Sequence, residues 1–102
     1  MDIDKDYVIR LRRILHQYPE IGFKLPRTLA LVKKELKNIG ISYTEQYGLN
    51  SIVGVINPES TNFTIGLRAD MDALPINEKN DVPYKSKIAG KMHACGHDAH
   101  TA

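Results

Sequence analysis

Apolar side chains recur at helical spacing in two stretches of the first forty residues. The first stretch follows the acidic positions Asp4 and Asp6 and stops before Pro19, and its apolar members are Tyr7, Val8, Leu11, Leu15 and Tyr18. This spacing predicts a helix that ends at the proline. A second helix is predicted from Pro26, a residue that the first helical turn tolerates, to Gly40, which is placed as a C-terminal cap.

The pattern changes to strand spacing after the second helix. Residues 41–47 form a weak strand candidate, residues 52–56 are a compact β-branched run, and residues 63–67 alternate apolar with polar positions. These features predict three strands, with a turn at 57–60 between the two better ones. Residues 75–91 carry prolines, a glycine and several charges, which predicts a long irregular loop. Such loops tend to be functional. The order of helix, helix and strands indicates an α/β fold.

Composition narrows the class of protein without identifying it. At 102 residues the chain is at most one small domain, and its 42% apolar and 25% charged residues are those of an ordinary soluble globular protein. The net charge of +2 is spread over helix faces, with no basic stripe of the kind that binds nucleic acid. No run approaches the ~20 apolar residues of a membrane span, and the first residues lack a signal-peptide pattern. We therefore expect a cytoplasmic protein.

The chemistry is concentrated in residues 90–102, which hold three histidines, the only cysteine and an aspartate. Cys95 and His97 are separated by one glycine, so a tight turn can aim a thiolate and an imidazole at one cation, and both are preferred ligands of zinc and similar metals. Each of His93 and His100 could orient a ligand, contact substrate or be merely exposed. Asp98 could accept an imidazole proton or cap a helix that begins at Ala99.

A second polar cluster follows the predicted strand at 63–67. Asp70 and Asp72 lie two positions apart, and nearby carboxylates repel each other unless a cation or donors lie between them. Arg68 could be that partner. A structural alternative is that Asp72 caps a turn and Asp70 pairs with Arg68. His16 is expected to be a helix-end residue that binds carbonyl groups or the helix dipole, and not a metal ligand.

Three segments together resemble a known family. LHQYPEIGF at residues 15–23, LRADMDALPI at 67–76 and GKMHACGHDAHTA at 90–102 resemble the start of the metal-dependent amidohydrolases that include hippurate hydrolase, N-acyl-amino-acid amidohydrolases and auxin-conjugate hydrolases. The resemblance implies that residues 1–102 are the N-terminal part of a zinc-peptidase-like α/β/α catalytic domain, with two helices followed by strands of a mixed sheet. A dimerisation domain, inserted later in such chains, would lie outside residues 1–102.

The resemblance also implies the site and the reaction. Cys95 and His97 correspond to metal ligands and Asp70 to a supporting catalytic aspartate, in a two-metal centre of zinc or manganese, with cobalt or nickel also possible. The resemblance implies that the complete enzyme is a homodimer and uses metal-activated water to hydrolyse N-acyl amino acids. Because the family's general-base glutamate comes later, we expect this chain alone to be inactive. The alternative is a small non-catalytic module that binds metal through the terminal Cys/His cluster.

Overall fold

The computed structural model describes residues 2–60 and 62–102. Two long helices come first, a two-stranded sheet follows, and a short helix lies near the end: α1 (Lys5–Gln17), α2 (Pro26–Ile39), β1 (Ser42–Thr44), β2 (Val53–Val55) and α3 (His97–Thr101). This order agrees with the predicted sequence of helices and strands. Among the described residues, no helix is both long and apolar enough to cross a membrane.

Local signals set the ends of α1. The Asp4 side chain accepts a hydrogen bond from the Tyr7 N–H at 3.0 Å, which satisfies one of the free donors in the first turn. The helix buries Leu11 and Leu15 on one face. Pro19 follows the C-terminal end of the helix at Gln17, as the pattern predicted.

Helix α2 begins at Pro26 and is capped by a side chain from outside the helix. The Glu20 carboxylate accepts hydrogen bonds from the backbone N–H of Arg27 at 3.1 Å and of Thr28 at 2.7 Å. The helix ends at Gly40, whose positive φ of 81° suits a left-handed cap. The buried apolar core comprises side chains from both helices and the segments after them: Leu11, Leu15, Leu25, Leu29 and Ala73.

Strands β1 and β2 form an antiparallel pair that contacts α2. Tyr43 lies opposite Gly54 in this pair. A Cβ at Gly54 would lie 3.2 Å from the Ile41 side chain and 3.7 Å from that of Leu36, so a larger residue would require the Ile41 side chain to shift.

The predicted strand at residues 63–67 is wrong. Residues 62–69 form no strand, and their apolar side chains are exposed, with Leu67 95% accessible. Alternation produces an apolar face, but a strand also needs a neighbouring backbone, and in the described parts of the chain β1 and β2 pair with each other. The sheet of the described residues is accordingly antiparallel. A parallel bridge between Ile21 and Ala73 lies outside this sheet.

The long loop at 75–91 contains neither helix nor strand, as predicted, but it is well anchored. Leu74 and Met92 exchange backbone hydrogen bonds at 2.9 and 3.0 Å and so close the loop at its base. Farther along, the Lys87 N–H donates to the carbonyl oxygen of Gln17 at 2.8 Å. The loop therefore folds back against the end of α1.

Replacing Leu15 tests whether the two helices form the core of this chain. Leu15 is 4% exposed, so we expect Leu15→Ala to lower the free energy of unfolding by about 2–5 kcal/mol through lost burial and a residual cavity. Urea unfolding followed by circular dichroism measures this change. Leu67→Ala is the matched control, and we expect it to change stability by less than about 0.5 kcal/mol. Equal losses in the two variants would contradict the assigned core.

Candidate metal centre

Helix α3 carries two of the candidate histidines and depends on the surrounding chain for its position. It has only five residues, and Gly96 at its N-terminus provides no side-chain cap. So short a helix is not stable by itself in water. The Thr101 hydroxyl donates to the backbone oxygen of Asp70 at 3.0 Å, which joins the end of α3 to the LRADMDALPI segment.

His97 is held by Asp72. Its Nδ1 lies 2.8 Å from the backbone oxygen of Asp72 and 3.0 Å from the Oδ1 of the same residue. Both of these oxygens accept hydrogen bonds, so the proton of a neutral imidazole belongs on Nδ1 and the lone pair on Nε2. Metal-binding histidines commonly have this arrangement, in which a carboxylate or carbonyl oxygen fixes the ring and its tautomer.

Asp70 lies between the two histidines of α3. Its Oδ1 is 2.7 Å from Nδ1 of His100, and its Oδ2 is 3.5 Å from Nε2 of His97. The hydrogen bond from His100 lowers the pKa of the Asp70 carboxyl below its ordinary value, against the opposing effect of burial, with smaller contributions from His97 and Arg68. Arg68 itself is 3.7 Å from Oδ2. Oδ2 thus keeps bonding capacity for a further partner.

These side chains fit a divalent metal ion. One potential ligand atom from each of Asp70, His97 and His100 lies within 4.8 Å of the others. The 3.5 Å between Oδ2 of Asp70 and Nε2 of His97 compares with about 3.4 Å between two ligand atoms of a tetrahedral zinc ion, given bonds of about 2.1 Å. Cys95 is an exposed free thiol on the turn before α3, outside this group of three among the described residues. Its pairing with His97 remains a prediction.

The structural alternative for the acidic pair holds for one of the two carboxylates, since Arg68 forms an ion pair with Asp70 at 3.7 Å. The Asp72 carboxylate accepts a hydrogen bond from His97 and does not cap a turn. Asp70 makes its shortest side-chain contact with His100, and the Arg68 contact is longer. His97 therefore contacts both carboxylates, and this placement of Asp72 was not predicted from the sequence.

His16 lies in the last turn of α1, as expected, but its predicted partners are wrong. This side chain is 3% exposed, and it bonds two carboxylates, neither of them on its own helix. Its Nδ1 lies 2.7 Å from Oδ2 of Asp98, and its Nε2 lies 3.0 Å from both oxygens of Glu78. Arg12 also reaches Oδ2 of Asp98, at 2.9 Å. We call Arg12, His16, Glu78 and Asp98 the His16 network. It joins α1 to the long loop and to α3.

Both predicted roles of Asp98 are found in part. It accepts a hydrogen bond from an imidazole, that of His16, and its Oδ1 accepts one from the Ala99 N–H at 3.0 Å. The helix begins two residues earlier than expected, at His97. With both oxygens engaged and the side chain buried, Asp98 is a structural residue.

Glu78 was not identified from the sequence. Its carboxylate also accepts hydrogen bonds from the Ser86 N–H at 2.7 Å and from the Asn80 side chain at 3.1 Å. Burial opposes ionisation of Glu78, but the hydrogen bonds from Ser86, His16 and Asn80 outweigh it and lower the pKa to about 2. The side chain therefore remains an anion across the physiological range.

His93 is the buried histidine of the terminal motif. It is 4% exposed, and neither ring nitrogen has a hydrogen-bond partner among the described residues. Burial lowers its pKa, and the nearby Asp98 carboxylate only partly offsets that effect. The ring is consequently neutral at pH 7. Of the roles proposed for it, exposure to solvent is wrong.

The helices, the antiparallel pair and the cluster of histidines and aspartates define an α/β segment that carries a candidate metal site. Comparison with known proteins gives the same class. Residues 66–102 match the model of "Peptidase family M20/M25/M40". The Bacillus subtilis YXEP protein, described as a dinuclear metal binding peptidase from the M20 family, superimposes with a TM-score of 0.88 at 37% identity, covering 97% of this chain and 29% of that one.

Curated relatives of similar sequence are also hydrolases. Thermostable carboxypeptidase 1 of Saccharolobus solfataricus is 46% identical over 96% of this chain and 25% of its own length. Hippurate hydrolase of Campylobacter jejuni is 47% identical over 90% of this chain and 24% of its own. The chain is therefore similar to part of these hydrolases and of an M20 peptidase structure, which confirms both the family resemblance and the predicted fold class. It spans about a quarter of the length of these relatives.

The low pKa of Glu78 predicts how stability changes in acid. A carboxyl whose pKa falls from 4.5 when unfolded to about 2 when folded stabilises the chain above pH 4.5, and this contribution is lost as the pH falls toward 2. We expect Glu78→Gln to be less stable at pH 7 and to lose less further stability between pH 4.5 and 2. Urea midpoints at several pH values measure this.

The exposed Glu59 offers a matched control for the acid titration. Glu59→Gln should follow the wild-type profile throughout. If Glu78→Gln also followed it, the carboxylate at position 78 would not be stabilised in the folded chain as the structure indicates.

Proposed function

We propose that this chain forms part of the catalytic domain of a metal-dependent amidohydrolase that cleaves the amide bond of N-acyl amino acids. The observation that carries the proposal is the placement of His97, with Nδ1 bound by Asp72 and Nε2 facing Asp70 at 3.5 Å. The homology to M20 hydrolases supports the same class of reaction.

The proposed metal ligands are His97 and Cys95, with Asp70 beside them. His97 would bind through Nε2, because Asp72 occupies Nδ1. Cys95 lies on the exposed turn immediately before α3, where its thiol is accessible to an ion. Asp70 would support the centre through its contacts with both histidines, and His100 would hold the Asp70 carboxylate in place. Zinc suits a thiolate and an imidazole, while manganese, cobalt and nickel are the alternatives.

A bound metal would lower the pKa of water and polarise the substrate carbonyl. The residues of this chain would prepare that chemistry. Asp72 fixes the His97 ring, and the hydrogen bond from His100 keeps Asp70 ionised. Both contacts orient side chains of the proposed centre within the folded chain, as pre-organised ligands require.

The names of the relatives support the proposed substrate class. One of them is named hippurate hydrolase, and hippurate is an N-acyl amino acid. We propose that the complete protein acts on such small molecules, that it is cytoplasmic, and that it is a homodimer through a further domain. Residues 1–102 would be one portion of the catalytic domain, with no nucleic acid or membrane partner.

Cobalt binding tests the ligand assignment. We expect the 102-residue chain to bind one Co²⁺ at the assigned site and to show a thiolate-to-cobalt charge-transfer band. Cys95→Ser should abolish that band, and His97→Ala should weaken binding by at least about tenfold, because each removes a donor. Absorption titration of the metal-free chain measures both effects.

The exposed Asp81 offers a matched control, and Asp81→Asn should bind cobalt as the wild type does. A band that persists in Cys95→Ser would contradict the thiolate ligand. Folding that requires one ion per chain would favour the alternative of a non-catalytic metal-binding module, whereas a chain that folds without metal favours the amidohydrolase.

We also expect no turnover by this chain alone. A general-base glutamate is required, and four of the glutamates already bond groups outside the site: Glu20 with Thr28, Glu35 with Tyr7, Glu45 with Lys33 and Glu78 with His16. The fifth, Glu59, is an exposed turn residue. Assays of hippurate and N-acetyl amino acids with added zinc or manganese measure hydrolysis. Hippurate hydrolase is the positive control, and sustained turnover by the purified chain would contradict this expectation.

A further inference from the structure

We propose that His16 is a positioning residue for the metal centre. Through Asp98, this side chain of α1 holds the first turn of α3, which presents His97. The inference deepens the proposed function and rests on it for the identity of the centre. It assigns a role to a histidine that lies 81 positions before His97 in the sequence and makes no contact with the proposed ion.

The contacts of Asp98 show why α3 needs this support. Asp98 is the most buried residue of α3, at 1% exposed, and it follows His97 directly. Its Oδ2 is shared by His16 at 2.7 Å and Arg12 at 2.9 Å, while Oδ1 caps the Ala99 N–H. Because a five-residue helix whose N-cap residue is a glycine has little stability of its own, these contacts help to determine where its first turn lies.

The two nitrogens of His16 serve different elements. Nδ1 bonds Asp98 on α3, whereas Nε2 bonds Glu78 on the long loop. Each carboxylate is therefore contacted by a different ring nitrogen, which can donate a hydrogen bond to it. A purely structural residue would influence the metal centre equally through either contact. A positioning residue would influence it mainly through the Asp98 contact, and the two contacts can be separated by substitution.

Substituting His16 by asparagine or by glutamine separates its contact with Asp98 from its contact with Glu78. The amide nitrogen of asparagine corresponds in position to Nδ1 of histidine, and that of glutamine to Nε2. His16→Asn therefore keeps a donor for Asp98 and loses the one for Glu78, whereas His16→Gln does the reverse. Each variant leaves one buried carboxylate short of a donor, so we expect comparable losses of stability, which urea unfolding measures.

The readouts at the metal centre should differ between the variants. We expect His16→Gln to weaken Co²⁺ binding by about tenfold or more, the lower end of the range for residues that orient ligands, and His16→Asn to remain within about threefold of wild type. In the metal-free chain, the Nδ1–H signal of His97 in NMR spectra should be retained in His16→Asn and lost through faster exchange in His16→Gln.

Each outcome decides between the interpretations. Equal changes in both variants, or wild-type behaviour of His16→Gln, would overturn the positioning role. If the wild-type chain bound no cobalt, the proposed function would fail, and the His97 signal of the metal-free variants would still test the effect of His16 on the histidine.

A milder pair of variants applies if substitution of His16 unfolds the chain. Arg12→Gln weakens the Asp98 contact, and Asn80→Ala weakens the Glu78 contact. We expect Arg12→Gln to lower cobalt affinity by several-fold and Asn80→Ala to leave it unchanged. The reverse order, or equal effects, would likewise contradict the proposal.

Discussion

Two buried carboxylates meet one buried histidine where α1, the long loop and α3 converge. Moving a carboxylate out of water costs several kcal/mol unless charged or polar donors replace the water. Glu78 and Asp98 receive those donors from different parts of the chain, and His16 is common to both. None of the three elements can move far without leaving a buried charge unpaired. The relative positions of the three elements follow from this constraint.

The geometry of the candidate metal centre is linked to that arrangement. The side chains that bond one another there come from two segments, the stretch around Asp70 and Asp72 and the helix α3, which lie 25–31 residues apart where they bond each other. Hydrogen bonds from Thr101, His97 and His100 join the two segments directly. The His16 network holds the opposite side of α3 through Asp98. The histidines are therefore fixed from both sides, as pre-organised ligands require.

The sequence predicted the features that local interactions decide. The C-terminal ends of α1 and α2, at Gln17 and Ile39, follow from Pro19 and Gly40 close by. The chemistry of the 90–102 segment is visible in its composition. The prediction of a strand at 63–67 was wrong because strand formation depends on a neighbouring strand, which no local pattern reveals. The partners of His16 were predicted wrongly for a similar reason, since they lie 62 and 82 positions away.

Burial distinguishes the structural carboxylates from those available for chemistry, which their spacing in the sequence does not. The side chains of Glu78 and Asp98 are 1% and 0% exposed, and hydrogen bonds occupy their oxygens. The side chains of Asp70 and Asp72 remain 27% and 44% exposed. A carboxylate can bind a metal only with a lone pair that no donor has taken. Oδ2 of Asp70, whose neighbours lie at 3.5 and 3.7 Å, keeps one. Asp98, beside His97 in the sequence, thus supports the helix, while Asp70, 27 positions before His97, faces Nε2 of that imidazole.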